Sequence, residues 1–390
     1  MIVPFLTSIY ESGVDADALQ ETWPGLLEEI RTFSLSSQVY HLLKQTGQSE
    51  RIPSPLYREL KAGAEKVMFH NMLVKRETLQ VLRALEEDGI PAIPLKGVVF
   101  ADKYFGGWQV RGTSDIDLLI RPEDRERAAN CVRELGFRKE DRYHSLHYHA
   151  EYAKELPGIG RSVAVELHWN LLRKHTSHIR MERLWNEAIP LEWERLGAVH
   201  LRELPLAATF YTICLHTAKH RMISLKHVLD VAHLIYRYGA ALDMEALLKR
   251  AGEDGTLGHV RAALTVAYRL FPGLQQVLAF AQPIRLPFYR ESLMREAGQG
   301  VKSYRYYAYL FSFPLVTLDQ WTYRRKHLLH LLLPPRDRAA RTLGRRPDDA
   351  GTALGLYWRL YKHRYRVYRS HQHHPIEKRI REGSHETAAD

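Results

Sequence analysis

Cysteine is nearly absent: the chain of 390 residues holds two, Cys131 and Cys214, far apart in sequence. Each sits in an apolar helical pattern, so both read as small core residues, with neither a disulfide framework nor a thiolate metal site. Such usage fits a reducing compartment, and the cytoplasm is the expected location. Long apolar runs are missing too. The longest candidate, residues 306–318, is shorter than the roughly 18 residues that mark a membrane span, and Pro314 interrupts it. Integral membrane association is therefore not expected. The opening Met1-Ile2-Val3-Pro4-Phe5-Leu6 lacks the basic start of a signal peptide. There is no Gly-x-Ser-x-Gly, no Walker loop and no dinucleotide fingerprint, which sets aside three common enzyme classes. No internal repeat or long low-complexity tract occurs.

Charge is present in excess of one sign. The formal net charge is +11, which attracts polyanions in general: nucleic acid, nucleoside triphosphate or acidic lipid. The excess gathers late, in Arg324-Arg325-Lys326, in Arg345-Arg346 and across residues 359–381. The plain reading of that end is a solvated basic helix; beyond Gly355 it is expected to serve acceptor binding or solubility and to hold no chemistry. Nucleic acid stays open as a partner, though no motif favours it.

Hydrophobic periodicity divides the chain into four regions. Residues 1–88 read as helices, with residues 56–87 the longest and Asp88-Gly89 a helix stop. Residues 89–184 read as an α/β core: an extended segment at 90–95, a short helix over Val98–Phe105, a strand over Asp115–Ile120, a helix over Glu123–Leu135 started by Pro122 and stopped by Gly136, and two strands at 148–154 and 162–168 joined by a turn. Residues 185–284 read as a helical domain for substrate or nucleotide, with helices at 206–222 and 225–238. Residues 285–390 read as a basic helical region whose tail, 383–390, is disordered. The fold class expected is α/β of the α+β kind, a small mixed sheet embedded in a largely helical protein.

The chemistry concentrates between Leu95 and Ile120. In Asp115-Ile116-Asp117 two carboxylates lie two apart on a strand, so they project from one face. Side by side they repel, and the arrangement is costly in a core strand unless a cation joins them. Oxygen donors of this kind suit Mg²⁺ or Mn²⁺. Glu166, charged within the apolar run Val163-Ala164-Val165-Glu166-Leu167, completes a metal-binding triad if its strand neighbours the first; otherwise it pairs with a nearby Arg or His. Lys96 and Gly97 close the segment before: glycine lets backbone N–H groups approach phosphate at a helix start, and the lysine adds a cation. Arg111 is a second phosphate partner by its fork geometry, or else a salt-bridge partner of one of the two aspartates.

In the helical half, His216 and His220 share a helix face. Zinc proteases use that spacing with a glutamate after the first histidine, but Thr217 stands there. Lys226 and Asp230 form another i,i+4 pair. These four either line a cleft facing the carboxylates, binding nucleotide or acceptor, or tie the two helices together. His144, His147, His149, His371, His373 and His374 read as loop or tail residues.

Together, Leu95-Lys96-Gly97, Tyr104, Arg111, Asp115-Ile116-Asp117-Leu118-Leu119 and Glu166-Leu167-His168-Trp169 resemble the uncharacterised nucleotidyltransferase family of bacteria. That family is similar to the polymerase β superfamily and often occurs in gene clusters for lasso peptides and other natural products. The likeness extends to His216, Lys219-His220, Lys226 and Asp230. It implies Asp115, Asp117 and Glu166 as metal ligands, a nucleoside triphosphate as co-substrate, and an acceptor that in such clusters is a modified peptide or another natural product. Rival readings are an aminoglycoside-type antibiotic nucleotidyltransferase and a non-catalytic nucleotide- or nucleic-acid-binding module. Two departures stand out: Val98 follows the first glycine where Gly or Ser is usual, and the interval from Gly97 to Asp115 is long.

Overall fold

The structure, a computed structural model, describes all residues except 141–147, 157–160, 174–175, 195, 346–351 and 384–390. The turn expected at 157–160, His144, His147, Arg346 and the tail from 384 lie outside the described residues. The chain divides into two compact units, Met1–Ile284 and Arg285–Asp390. The expected boundaries at 88 and 184 both fall inside the first.

That first unit opens with helices α1 (Ile2–Tyr10), α2 (Ala16–Leu19), α3 (Trp23–Thr32), α4 (Ser36–Gln45) and α5 (Ser54–Glu87). In α1 the buried residues are Ile2, Phe5, Leu6 and Ile9, a three-to-four spacing that gives one apolar stripe. The long α5 buries Leu73, Val74, Val81, Leu82 and Leu85 along its second half. It stops where expected. Gly89 takes φ +64°, and Ile90 N–H reaches back to Leu85 O at 2.8 Å, the six-to-one bond of a left-handed helix cap.

The α/β part follows: β1 (Ala92–Pro94), α6 (Val98–Phe105), β2 (Asp115–Ile120), α7 (Arg125–Glu134), β3 (Arg138–Lys139), β4 (His149–Leu156) and β5 (Arg161–His168). Pro122 begins a single 3₁₀ turn, Pro122–Asp124, and the α-helix starts after it. The sheet order is β1-β2-β5-β4-β3. β2 and β5 run parallel, and the other neighbours are antiparallel. Strand alternation sorts the two faces. Ile116, Leu118 and Ile120 of β2 join Val163, Val165 and Leu167 of β5 in one core with Val81, Leu82, Ala128 and Val132 of α5 and α7. The opposite face carries Asp115, Asp117 and Leu119 of β2 beside Glu166 and His168 of β5, and Leu119 packs there with Ile93, Leu184 and Ala208. One apolar face thus anchors the sheet and frees the other for polar side chains.

Helices cover the rest of this unit: α8 (Met181–Glu187), then a two-residue ribbon of β6 (Ile189–Pro190) and β7 (Arg202–Glu203), then α9 (Leu206–Lys219), α10 (Leu225–Tyr238), α11 (Met244–Glu253), α12 (Leu257–Leu270) and α13 (Leu274–Val277). α9 buries residues on nearly every side, including Tyr211, Cys214 and Thr217. Cys131 and Cys214 are both buried and free.

The second unit is helical: α14 (Ser292–Gly298), α15 (Tyr304–Thr317), α16 (Trp321–Leu332), α17 (Arg336–Thr342) and α18 (Ala353–Gly383). Ala339 and Ala340 of α17 pack on Leu356 and Leu360 of α18. Among the described residues no helix is long and apolar enough to cross a membrane. The protein is therefore of the α+β class, with a small mixed five-stranded sheet inside a mostly helical chain.

Candidate active site

The parallel pairing of β2 with β5 sets Asp117 directly beside Glu166. Asp115, Asp117 and Glu166 each offer a carboxylate oxygen, and these atoms lie within 4.8 Å of one another. Asp117 is 2% exposed, a burial that an unneutralised carboxylate does not tolerate. Two groups answer the charge. Lys96 Nζ lies 2.5 Å from Asp115 Oδ2 and 2.6 Å from Asp117 Oδ2. The second contact is close in charge but poorly aligned, so Asp117 Oδ2 has no hydrogen-bond partner of its own. His168 Nε2 lies 3.1 Å from both Asp117 Oδ1 and Glu166 Oε2. An ammonium and an imidazole therefore sit between the three carboxylates.

The protonation of these groups follows. Burial pushes the Lys96 ammonium down, but Asp117 and Asp115 outweigh it and hold the proton more firmly than usual. Burial raises the Asp115 carboxyl, and Lys96 overturns that, leaving it well below the ordinary range. Glu166 is likewise held low against its burial by the hydrogen bond and charge of His168, with help from Lys219. Asp117 goes the other way, raised chiefly by burial. Burial lowers His168, yet its bonds to Asp117 and Glu166 raise it overall. Neighbouring carboxylates thus part in their affinities, as like charges in one site must.

Gly97 supports the cluster from behind. It takes φ +83°, and a Cβ there would meet Asp115 O at 3.2 Å. Only glycine fits both demands without strain. It stands immediately before α6, as its N-cap.

Arg111 and Asp230 occupy a different arrangement from the one expected. Arg111 is buried and spends its fork on Asp230: Nε to Oδ1 at 2.7 Å and a terminal nitrogen to Oδ2 at 2.7 Å. The guanidinium pairs with neither Asp115 nor Asp117, and Asp230 is not the i,i+4 partner of Lys226. The reason is distance in sequence: Asp230 on α10 meets the loop before β2 only in the folded chain. Asn71 of α5 fixes the same loop, donating to Trp108 O and Arg111 O and accepting from Thr113 N–H.

One pocket is lined by Lys96, Asp117, His168, His216 and Lys219, with Leu95 and Thr212 among its walls. His216 of α9 thus lines the same pocket as Asp117. His220 and Lys226 both feel the charge of Asp115. Three further residues belong to the site and carried no expected role. His168 lies two positions after Glu166 in a period-two strand, a signal available from the sequence. Lys219, three positions after His216 on a helix, was equally visible; its charge reaches Glu166. His227, near His216 and His220, gave no local signal. His149, read as a loop residue, sits in β4, 3.9 Å from Glu166.

The donor set is all oxygen, convergent and backed by a strand pair, as a Mg²⁺ or Mn²⁺ site with substrate phosphates requires. Residues 20–272 match the model of a family described as uncharacterised nucleotidyltransferase. The chain belongs to that family. The match spans the sheet, both aspartates, Glu166 and the α9–α10 helices, so the whole of this cluster lies within the matched region. No curated protein and no solved structure matches the chain.

Proposed function

We propose that this nucleotidyltransferase moves a nucleoside monophosphate from a nucleoside triphosphate to an acceptor hydroxyl or phosphate, with Mg²⁺ or Mn²⁺ at Asp115, Asp117 and Glu166. The observation that carries the reading is the register of β2 against β5, which sets Asp117 beside Glu166 on the polar face. In the transfer, an acceptor oxygen bonds to the α-phosphorus and the bond to the bridging oxygen breaks. Pyrophosphate leaves with the electron pair, and the acceptor proton passes to a base. Bound divalent ions would neutralise phosphate charge and favour the attacking oxygen. The chain's own groups do the rest. Lys96 and Lys219 bring positive charge to the pocket for the triphosphate. Gly97 and the start of α6 offer backbone N–H groups to phosphate. His216, His220 and Lys226 bound the same region from the helical side, for nucleotide or acceptor. Arg111 and Asp230 position the loop that leads into β2. The acceptor is open; the family's association with natural-product gene clusters makes a modified peptide, including a lasso peptide, the first to try. The free thiols fit a reducing cytoplasm.

Pyrophosphate release, measured with each of the four nucleotides and a panel of peptide acceptors, tests the reading. Release is expected with Mg²⁺ or Mn²⁺ and is lost in chelator. Asp117→Asn is expected to cut it by about 10²–10³-fold or more, as for loss of a group acting in the transition state. Turnover near wild type in a folded Asp117→Asn protein, or full activity in excess chelator, would overturn the proposal.

A further inference from the structure

His216 and His220 lie one turn apart on and just after α9, and His227 comes from the first turn of α10. Their ring centres are 4.6, 4.8 and 4.4 Å apart. The rings are inclined to each other by 58°, 77° and 47°, so they converge without stacking. Each offers a ring nitrogen, and the three atoms lie within 4.8 Å of one another. Three imidazoles on a single ion, with nitrogens about 2.1 Å from it at near-tetrahedral angles, place their ring centres about 5 Å apart. The observed separations are within a small rotation of that arrangement.

A purely structural cluster would look different. His233, on α10, shows what a structural histidine does here: Nδ1 meets Tyr10 Oη at 2.7 Å, Nε2 meets Tyr104 O at 2.9 Å, and the ring stacks on Phe105. The three converging rings have none of this. Among the described residues no group hydrogen-bonds their ring nitrogens, and His227 Nδ1 is shut off from solvent with no partner. Burial keeps all three imidazoles neutral, the form that binds metal. The turn that brings α9 and α10 together holds Arg221 and Met222 at φ 55° and 51°, a conformation that costs non-glycine residues energy. Thr217 Oγ1 donates to His227 O at 3.1 Å across that turn.

Surrounding charge does not forbid an ion. The charges of Lys96, Lys219, Arg111 and Lys226 reach the trio, and Asp115, Asp117, Glu166 and Asp230 answer the first three. Lys226 is the exception, with no ion-pair partner among the described residues; burial and the Arg111 charge lower its ammonium to about 7.

We propose that His216, His220 and His227 form a second, separate metal site, for a nitrogen-preferring ion of the Zn²⁺ class, with its fourth position open to water or a substrate oxygen. Imidazole donors select zinc, cobalt or copper over magnesium, so this site and the carboxylate site would take different ions. The proposal stands apart from the nucleotidyl-transfer reading: either can fail alone.

The test is Co²⁺ titration of chelator-stripped protein in the presence of excess Mg²⁺, followed by visible absorption and by metal analysis after desalting. Expected is one Co²⁺ per chain with the intense bands of four-coordinate cobalt, displaced by Zn²⁺. His227→Gln should weaken binding at least tenfold and lose the bands. His220→Gln, just past the end of α9, gives the same reading if the first variant folds poorly. Asp117→Asn should leave the bands unchanged, because the carboxylates are a different site. No binding, the weak bands of an octahedral oxygen site, or a signal lost in Asp117→Asn but kept in His227→Gln would each overturn the proposal.

Discussion

Lys96 explains how the carboxylate trio is tolerated before any ion arrives, since its ammonium reaches both aspartates. This revises an expectation about Asp117. Taken from the sequence, Asp117→Asn relieves repulsion and leaves stability unchanged or higher. In the fold, Asp117 is already paired on both oxygens, to Lys96 and to His168. An asparagine amide keeps one of those contacts at most and removes the negative charge that Lys96 meets. The substitution should therefore cost on the order of 1–3 kcal/mol in chelator, read as a lower melting temperature beside the lost transfer.

Lys226 gives a pH prediction of its own. Its value in the folded protein is lowered from 10.5 to about 7, chiefly by burial. Between those values the unfolded chain binds a proton that the folded chain has released, so stability rises with pH across that window. Below about pH 7 both states are charged and the full burial cost stands. Lys226→Met should flatten this rise, so the wild type's melting temperature climbs more steeply than the variant's between pH 7 and 10. Parallel curves would exclude it.

At the scale of elements, the site depends on how three segments meet. β2 and β5 bring the carboxylates, and the α9–α10 turn brings the histidines. The loop before β2 is locked to α10 by the buried Arg111–Asp230 pair. Removing one partner of a buried pair strands the other charge and typically costs roughly 3–5 kcal/mol. Asp230→Asn should show most of that loss in urea denaturation. The double variant Arg111→Met with Asp230→Leu should recover much of it, because nothing is then left unpaired. Equal losses in both would mean that the pair is not the lock.

Across the whole molecule, the positive charge belongs to one unit. Residues 285–390 hold 21 Lys and Arg against 10 Asp and Glu, while residues 1–284 hold 35 against 35. The +11 excess therefore lies wholly outside the unit that carries the site, and overall basicity says nothing about the acceptor pocket. The family match also ends within the first unit, at residue 272. A chain ending at Ile284 should stay folded, bind nucleotide in a Mg²⁺- or Mn²⁺-dependent way, and lose retention on a cation exchanger at neutral pH. Loss of nucleotide binding by the folded truncation would assign the basic unit a part in the chemistry.

Much of this was legible in sequence order alone. The strand over Asp115–Ile120 and the helix over Val98–Phe105 carry local signals, a short apolar run behind an aspartate pair and a glycine before a helical run, and both stand at the expected residues. So does the α5 stop at Gly89. The aspartate pair shares a face because a strand's geometry is local. Tertiary structure alone decided the rest. Whether Glu166 joined the aspartates turned on a parallel pairing across some fifty residues, which no local pattern encodes. Arg111 found Asp230 through a separation of 119 residues, and His227 reached His216 and His220 only because a strained turn folds α10 back on α9. Local spacing states what a residue can face. Long-range pairing chooses what it meets, because the partners are brought together by burial of the apolar faces on the other side of the same elements.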